Sequence, residues 1–248
     1  MTPSFEIVAH RGVPTELPEN TIPSFHRAVE LGADAIELDV RLTRDQIPIV
    51  YHYFYLDEGT TAAGPVFNFT LAEIQNLEIV DSAGSPIQDC RIPTLHEVLA
   101  TFGGRIGFEI EIKGPEPESS RVVGEVLRDY GHLWDTIEIT SYEPMLLADV
   151  QHRCPGLATD LLFPRSETWM GLDVVAYVAV HRARLAGARA VHLHPTQLTH
   201  EVVAAVRSFG IEVHAWEVDD RESLKQMMEL DISRICTNKL QEAVTFRR

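Results

Sequence analysis

The chain is poor in cysteine, in positive charge and in long apolar runs. Its three cysteines, Cys90, Cys154 and Cys236, are odd in number and widely spaced. They fit neither a disulfide framework nor a zinc knuckle, and a reducing, cytoplasmic setting is the simplest reading. No stretch approaches the roughly 18 uncharged apolar residues that a membrane span requires. The first residues, Met1-Thr2-Pro3-Ser4-Phe5-Glu6, lack the basic and apolar regions of a signal peptide. Lys and Arg number 21 against 37 Asp and Glu, a formal net charge of −16. That balance argues against nonspecific binding to nucleic acid or anionic lipid. An anionic substrate would therefore need local compensation, from a bound cation or from a few well-placed Lys and Arg side chains. There is no GxGxxG after a strand, no GxSxG and no P-loop, so dinucleotide, serine-hydrolase and P-loop chemistry have no support. Linkers, low-complexity tracts and strong short repeats are also missing.

What is present is alternation. The 248 residues are 45% hydrophobic and 23% charged, enough to bury a large core without staples. Eight β-like runs are predicted, at 5–10, 35–42, 47–52, 107–113, 136–141, 158–163, 190–194 and 212–218. Helices are predicted at 21–31, 70–77, 94–102, 119–130, 144–152, 173–186, 200–209 and 221–229. The first of these carries Ile22, Phe25, Ala28 and Val29 at helical spacing, with Asn20 or Thr21 as N-cap and Gly32 as stop. Strands that alternate with helices pair in parallel through right-handed crossovers. Eight such units predict an α/β fold of the TIM (β/α)8 barrel type, one domain over residues 1–248. The second and third runs are joined by only Thr43 to Gln46, and 53–69 is irregular. This region is read as a small insertion after the third strand, beside the active face.

In such a barrel the chemistry lies where strands end. The first run delivers His10-Arg11-Gly12 to the barrel mouth. In the second, Glu37 and Asp39 share one face, roughly 7 Å apart along the strand, while Ile36, Leu38 and Val40 face the helices. Two inward carboxylates demand compensation. A hard divalent cation and an internal salt bridge to Arg41 both answer that demand. The third run ends at His52. The fourth puts Glu109, Glu111 and Lys113 on one face, with Lys113 either a phosphate ligand or the neutraliser of Glu109. Two histidines suited to acid and base work, three carboxylates, an Arg and a Lys thus converge from four strands. That set suits phosphodiester cleavage better than hydride or acyl transfer.

The order and spacing of His10-Arg11-Gly12, Pro18-Glu19-Asn20-Thr21, Gly32 through Val40, Thr43-Arg44-Asp45 and Ile49-Val50-Tyr51-His52 resemble the glycerophosphodiester phosphodiesterase family. So do Leu56-Asp57, Thr60-Thr61, Pro93-Thr94-Leu95, Glu111-Ile112-Lys113, Ser141 and Trp216, so that the resemblance runs from about residue 7 to the end. It implies a TIM barrel that hydrolyses glycerophosphodiesters to sn-glycerol 3-phosphate and an alcohol. It implies Glu37, Asp39 and Glu111 as ligands of Mg²⁺ or Ca²⁺, and His10 and His52 as the acid/base pair. Arg11 and Lys113 would contact phosphate, and Trp216 would pack on the glycerol. The substrate's own glycerol hydroxyl would attack phosphorus, giving a cyclic phosphate that water opens. A lysophospholipase D-like activity and a barrel that binds metal and phosphodiester without cutting are the alternatives. The expected partner is a small-molecule substrate, with no nucleic acid and no membrane span, in a monomer or homo-oligomer.

Two positions depart from the family pattern. Tyr53 follows the second histidine where Asp is usual, with Asp57 or Glu58 as candidate substitutes. Asn238 stands where the last strand's motif usually has Asp, which keeps hydrogen bonding and loses charge. His192 and His194 share one face and His214 sits on the next run, open to readings as a second metal site, substrate contacts or buried hydrogen bonding. Phe54, Tyr55, Phe67 and Phe69 crowd the insertion, as packing or as contacts to the alcohol.

Overall fold

The structure, a computed structural model, describes residues 5–81 and 83–247. The reading of no signal peptide rests partly on residues 1–4, which lie outside the described residues.

The strands are β1 (Glu6–Ala9), β2 (Ala35–Leu42), β3 (Pro48–Val50), β4 (Gly107–Ile112), β5 (Ile137–Ser141), β6 (Ala158–Leu162), β7 (Ala190–Leu193), β8 (Glu212–Ala215) and β9 (Arg234–Thr237). All but β3 pair in parallel in the order β1-β9-β8-β7-β6-β5-β4-β2, and the β1–β2 pairing closes the ring. This is an eight-stranded TIM barrel. The helices are α1 (Ile22–Leu31), α2 (Leu71–Ile74), α3 (Leu95–Phe102), α4 (Glu118–Asp129), α5 (Pro144–Arg153), α6 (Leu172–Ala186), α7 (His200–Arg207), α8 (Arg221–Glu229) and α9 (Leu240–Arg247).

The fold class agrees with the sequence reading, but the barrel is assembled differently. The run at 47–52 is not a barrel strand. Its core, β3, pairs antiparallel with β2 through Val40–Val50, Arg41–Ile49 and Leu42–Pro48. Five linking residues, Thr43 to Ile47, are enough for a hairpin and too few for a crossover helix. The eighth barrel strand is β9, whose four residues are too short for period two to register. The irregular excursion follows β3 as expected, yet it fills residues 51–93, well beyond 53–69. It has a core of its own, in which Tyr51, Leu56, Val66, Ile74, Ile79 and Ile92 are buried together. Phe69 packs against that cluster, whereas Phe54, Tyr55 and Phe67 are about half exposed.

Alternation sorts the strand side chains. On β2, Ile36, Leu38 and Val40 join the core between sheet and helices, as do Phe108, Ile110 and Ile112 of β4. Glu37, Asp39, Glu109 and Glu111 are left inside the barrel, no more than 7% exposed. Helix ends are set locally. The Thr21 hydroxyl accepts from Ser24 N–H and caps α1, and Gly32 ends that helix at φ 88°. Thr94 and Glu97 form a capping box at the start of α3.

The turn after β1 depends on Gly12, at φ 89°, where any Cβ would overlap Ser24 of α1. The Ser24 hydroxyl also accepts from Val13 N–H at 2.7 Å, which pins this turn to the helix. Replacing Gly12 adds left-handed backbone strain of about 1–3 kcal/mol to that overlap. Gly12→Ala should therefore lose at least about 2 kcal/mol of unfolding free energy in urea titrations. A loss within about 0.5 kcal/mol, the range of an ordinary surface change, would contradict this reading of the turn.

Candidate active site

His10 follows β1 directly, and Arg11 and Asn20 both adopt left-handed backbone conformations, at φ 54° and 58°. These bends turn Arg11 N–H onto Glu37 at 2.9 Å and the Asn20 amide onto Asp39 at 2.8 Å. The Asp39 N–H returns a bond to Asn20 Oδ1 at 3.2 Å. Asn20 is therefore no helix cap. Thr21 takes that role, and Asn20 fixes a carboxylate.

Glu37, Asp39 and Glu111 come together as the sequence predicts. Each offers an oxygen within 4.8 Å of the others, and all three are buried. Lys113 Nζ lies 2.8 Å from Glu111 and 3.3 Å from Asp39, and Arg11 Nε lies 3.1 Å from Asp39. Arg41 does not neutralise this set. It donates to the carbonyls of His52 and Gly114 and lies over the Phe54 ring. Lys113 likewise faces Glu111 and Asp39, while Glu109 faces His192 at 3.4 Å.

The charges on the three carboxylates are unequal. Burial works against charging Asp39, yet the adjacent Lys113 and Arg11 hold it well below the usual carboxylate range. Burial and the charge of Asp39 push Glu37 well up. The same two causes push Glu111 up to about 7. Asp39 Oδ1 and Glu111 Oε1 are buried without an aligned hydrogen bond. Buried, oxygen-only, under-compensated carboxylates fit a hard divalent cation.

The histidines flank this cluster. His10 Nε2 lies 3.8 Å from Glu37, and its Nδ1 lies 2.6 Å from Asn238 Oδ1. The Asn238 amide donates to Asp219 at 2.7 Å, so Oδ1 is left to accept and His10 carries its proton on Nδ1. Asp219 also receives Asn238 N–H and the Thr237 hydroxyl. The charge absent at Asn238 is thus supplied by Asp219, which binds it from behind. Burial and the Arg11 charge lower His10.

His52 is placed by the hairpin, with Tyr51 N–H on the Asp39 carbonyl at 2.9 Å and Arg41 on its own carbonyl at 2.8 Å. Burial lowers it to about 3, opposed by the Asp39 charge and assisted by the nearby Arg11, Lys113 and Arg41 charges. Its Nδ1 is buried and has no hydrogen-bond partner among the described residues. Tyr53 meets the His52 ring edge-on, with centroids 4.8 Å apart. Asp57 is exposed and accepts from Gly64 N–H, so it does not stand in for an acid beside His52, whereas Glu58 lines a nearby cavity. That cavity, of about 400 Å³, opens beside His52 between residues 14–20 and the excursion.

Trp216 donates to the Phe163 carbonyl at 3.2 Å and packs on His194, whose ring centroid is 5.1 Å away. The Ser141 hydroxyl bonds the Ile112 carbonyl at 2.7 Å and receives Glu143 N–H, which ties β5 to the end of β4. His192 and His214 lie inside the lower half of the barrel, apart from this cluster. Sequence pattern marks neither Asp219 nor the grip of Asn20 on Asp39. A polar residue beside a left-handed turn, and an acid just after β8, were the available signals.

Residues 10–242 match the glycerophosphoryl diester phosphodiesterase family. A glycerophosphodiester phosphodiesterase from Caldanaerobacter subterraneus subsp. tengcongensis is 33% identical over 241 residues, covering 94% of this chain and 93% of the relative. The crystal structure of a glycerophosphodiester phosphodiesterase from Agrobacterium tumefaciens superposes with a TM-score of 0.80 at 25% identity, over 97% of this chain and 99% of that one. A phosphodiesterase from Oleispira antarctica, solved with the product sn-glycerol-3-phosphate, shares the fold with a TM-score of 0.83 at 24% identity, over 97% and 96% of the two chains.

The raised Glu111 carboxyl generates a pH test. Its ordinary value is 4.5 and it stands at about 7 in the folded, cation-free protein. The folded state then holds the proton more tightly, so this group's contribution falls as pH rises through that window. In chelator, the stability of the wild type relative to Glu111→Gln should decline from about pH 4.5 to about 7 and level off above it. A saturating divalent cation should reverse the decline. Urea melts at fixed pH measure the difference, and a pH-independent one would contradict the assignment.

Proposed function

The chain belongs to the glycerophosphoryl diester phosphodiesterase family and is a phosphoric diester hydrolase, and from that premise we propose which residues do its chemistry. The substrate is a small glycerophosphodiester, cut to sn-glycerol 3-phosphate and an alcohol. The carrying observation is the convergence of Glu37, Asp39 and Glu111 beside two histidines that burial keeps neutral.

A Mg²⁺ or Ca²⁺ ion held by Glu37, Asp39 and Glu111 would polarise the phosphoryl oxygen and offset developing charge. Arg11 and Lys113, already beside Asp39, contact the phosphate and supply the positive charge that the molecule lacks overall. His52, kept neutral chiefly by burial and without a partner at Nδ1 among the described residues, takes the proton of the attacking glycerol hydroxyl. His10 faces Glu37 through Nε2 and is braced at Nδ1 by Asn238 and Asp219. In its imidazolium form it hands the Nε2 proton to the leaving alcohol oxygen and keeps the proton on Nδ1. The two histidines exchange roles when water opens the cyclic phosphate. Trp216 packs on the glycerol. The cavity beside His52 receives the alcohol, and its 400 Å³ suits a headgroup better than a long acyl chain. The free Cys90, Cys154 and Cys236 support a reducing, cytoplasmic setting. The single-domain reading over residues 1–248 is kept as part of the same proposal.

With glycerophosphocholine as substrate, chelation should abolish turnover and Mg²⁺ or Ca²⁺ should restore it. His10→Ala and His52→Ala should each lower kcat by about 10²–10⁴-fold. Undiminished turnover by the double variant would overturn the assignment. Lysophospholipid assayed alongside should be the poorer substrate, and preference for it would move the reading to a lysophospholipase D. Asp219→Asn should lower kcat by about tenfold with little change in KM, because it loosens His10 without touching substrate. A change confined to KM would place Asp219 in binding instead.

A further inference from the structure

Below the catalytic carboxylates the barrel interior holds a second polar cluster that the phosphodiesterase mechanism leaves unused. Asp160 of β6, His192 of β7 and His214 of β8 meet Glu138 of β5, and these side chains are 0%, 0%, 3% and 3% exposed. Three of their atoms form a nearly equilateral triangle. His192 Nε2 and His214 Nδ1 are 3.1 Å apart, and Asp160 Oδ2 lies 3.4 Å from the first and 3.5 Å from the second. Ligands about 2.0–2.2 Å from a tetrahedral ion stand about 3.3–3.6 Å from one another. Glu138 Oε1, 4.0 Å from His192 Nε2, is buried beside Arg234 without an aligned hydrogen bond.

The far sides of both rings are also prepared. His192 Nδ1 lies 3.4 Å from Glu109 and His214 Nε2 lies 3.6 Å from Glu212. Histidines whose outer nitrogens face carboxylates while their inner nitrogens converge form the arrangement that orients imidazole on a metal. The charge balance leaves room for a cation. Glu109, Glu138 and Asp160 place three carboxylates in the interior against the guanidiniums of Arg189 and Arg234, and Arg234 also serves Glu6. Arg189, which touches Asp160 Oδ2 at 2.7 Å, is 44% exposed and is free to yield that oxygen. An entry path exists, because a cavity of about 560 Å³ opens at the strand N-termini and reaches Glu138, Arg189 and His214.

We propose that Glu138, Asp160, His192 and His214 form a tetrahedral site for one divalent transition-metal ion of the zinc type, distinct from the catalytic cluster. Two imidazoles and two carboxylates suit such an ion better than Mg²⁺ or Ca²⁺. Four protein ligands leave no open position, so the ion is a structural staple joining β5, β6, β7 and β8 across the barrel floor. Both imidazoles bind as neutral ligands through their inner nitrogens, with their protons on the outer nitrogens.

Co²⁺ titrated into the chelator-stripped full chain tests the site. The expected result is the strong visible absorption of a tetrahedral complex, saturating at one ion per chain and displaced by Zn²⁺. Glu37→Gln should keep that band, and His214→Gln and Asp160→Asn should lose it. Zn²⁺ should raise the thermal midpoint of the wild type but not of His214→Gln. Should either buried variant fail to fold, zinc-edge X-ray absorption on the wild type needs no substitution, and two imidazole ligands are expected there. Only weak six-coordinate bands, a band that survives in a folded His214→Gln, or an oxygen-only zinc shell would overturn the proposal and leave a hydrogen-bonded network.

Discussion

Three carboxylates buried at the barrel mouth are the constraint on which the rest of the site depends. Placing Glu37, Asp39 and Glu111 inside a barrel that already carries a net charge of −16 is unfavourable unless positive charge is brought to them. The chain brings Arg11, which lies 3.1 Å from Asp39, and Lys113, which is shared between Glu111 at 2.8 Å and Asp39 at 3.3 Å. That leaves Glu37 and Glu111 pushed upward by burial and by their neighbour. The remaining deficit of positive charge is the physical basis for reading the site as a cation holder. The surroundings follow from the same need. Left-handed turns at Arg11 and Asn20 point a backbone N–H and an amide at two of the carboxylates. The hairpin of β3 then carries His52 over the site in place of another barrel strand.

Periodicity made most of the fold legible. Alternation on β2 and β4 separated the helix-facing aliphatics from the inward acids, and glycine and threonine positions marked the ends of α1. The architecture failed to appear where local pattern carries no topological information. The run at 47–52 has the hydrophobicity of a barrel strand, yet only the length of its connection to β2 tells that it turns back. Strand β9, with Arg234, Ile235, Cys236 and Thr237, is too short to show a period. Its membership rests on pairing with β8 and with β1, the latter at the far end of the chain. The two errors cancelled, which kept the count at eight.

Legibility of the site divides along a similar line. The proposed site residues at strand ends, His10, Glu37, Asp39, His52, Glu111 and Lys113, announce themselves by type and register. Residues that act through another residue do not. Asp219 supports His10 only through Asn238, and Asn20 reaches Asp39 only because its own backbone is left-handed. Tyr53 was the position where sequence reading found a missing acid. The ring touches His52 edge-on, and the nearby acids Asp57 and Glu58 are exposed to solvent. The lower cluster obeys the same period-two rule, but Glu138 and Asp160 gain meaning only when the barrel closes and sets them against His192 and His214.

The central claim is that Glu37, Asp39 and Glu111 jointly hold a divalent cation. Diffraction at the manganese absorption edge, from crystals of the stripped protein soaked in Mn²⁺, tests it most directly. The account predicts an anomalous peak bounded by oxygens of all three carboxylates, with Lys113 drawn away from Glu111. Crystals that bind Mn²⁺ elsewhere, or not at all, while Lys113 keeps its pairing with Glu111 and Asp39 would contradict it.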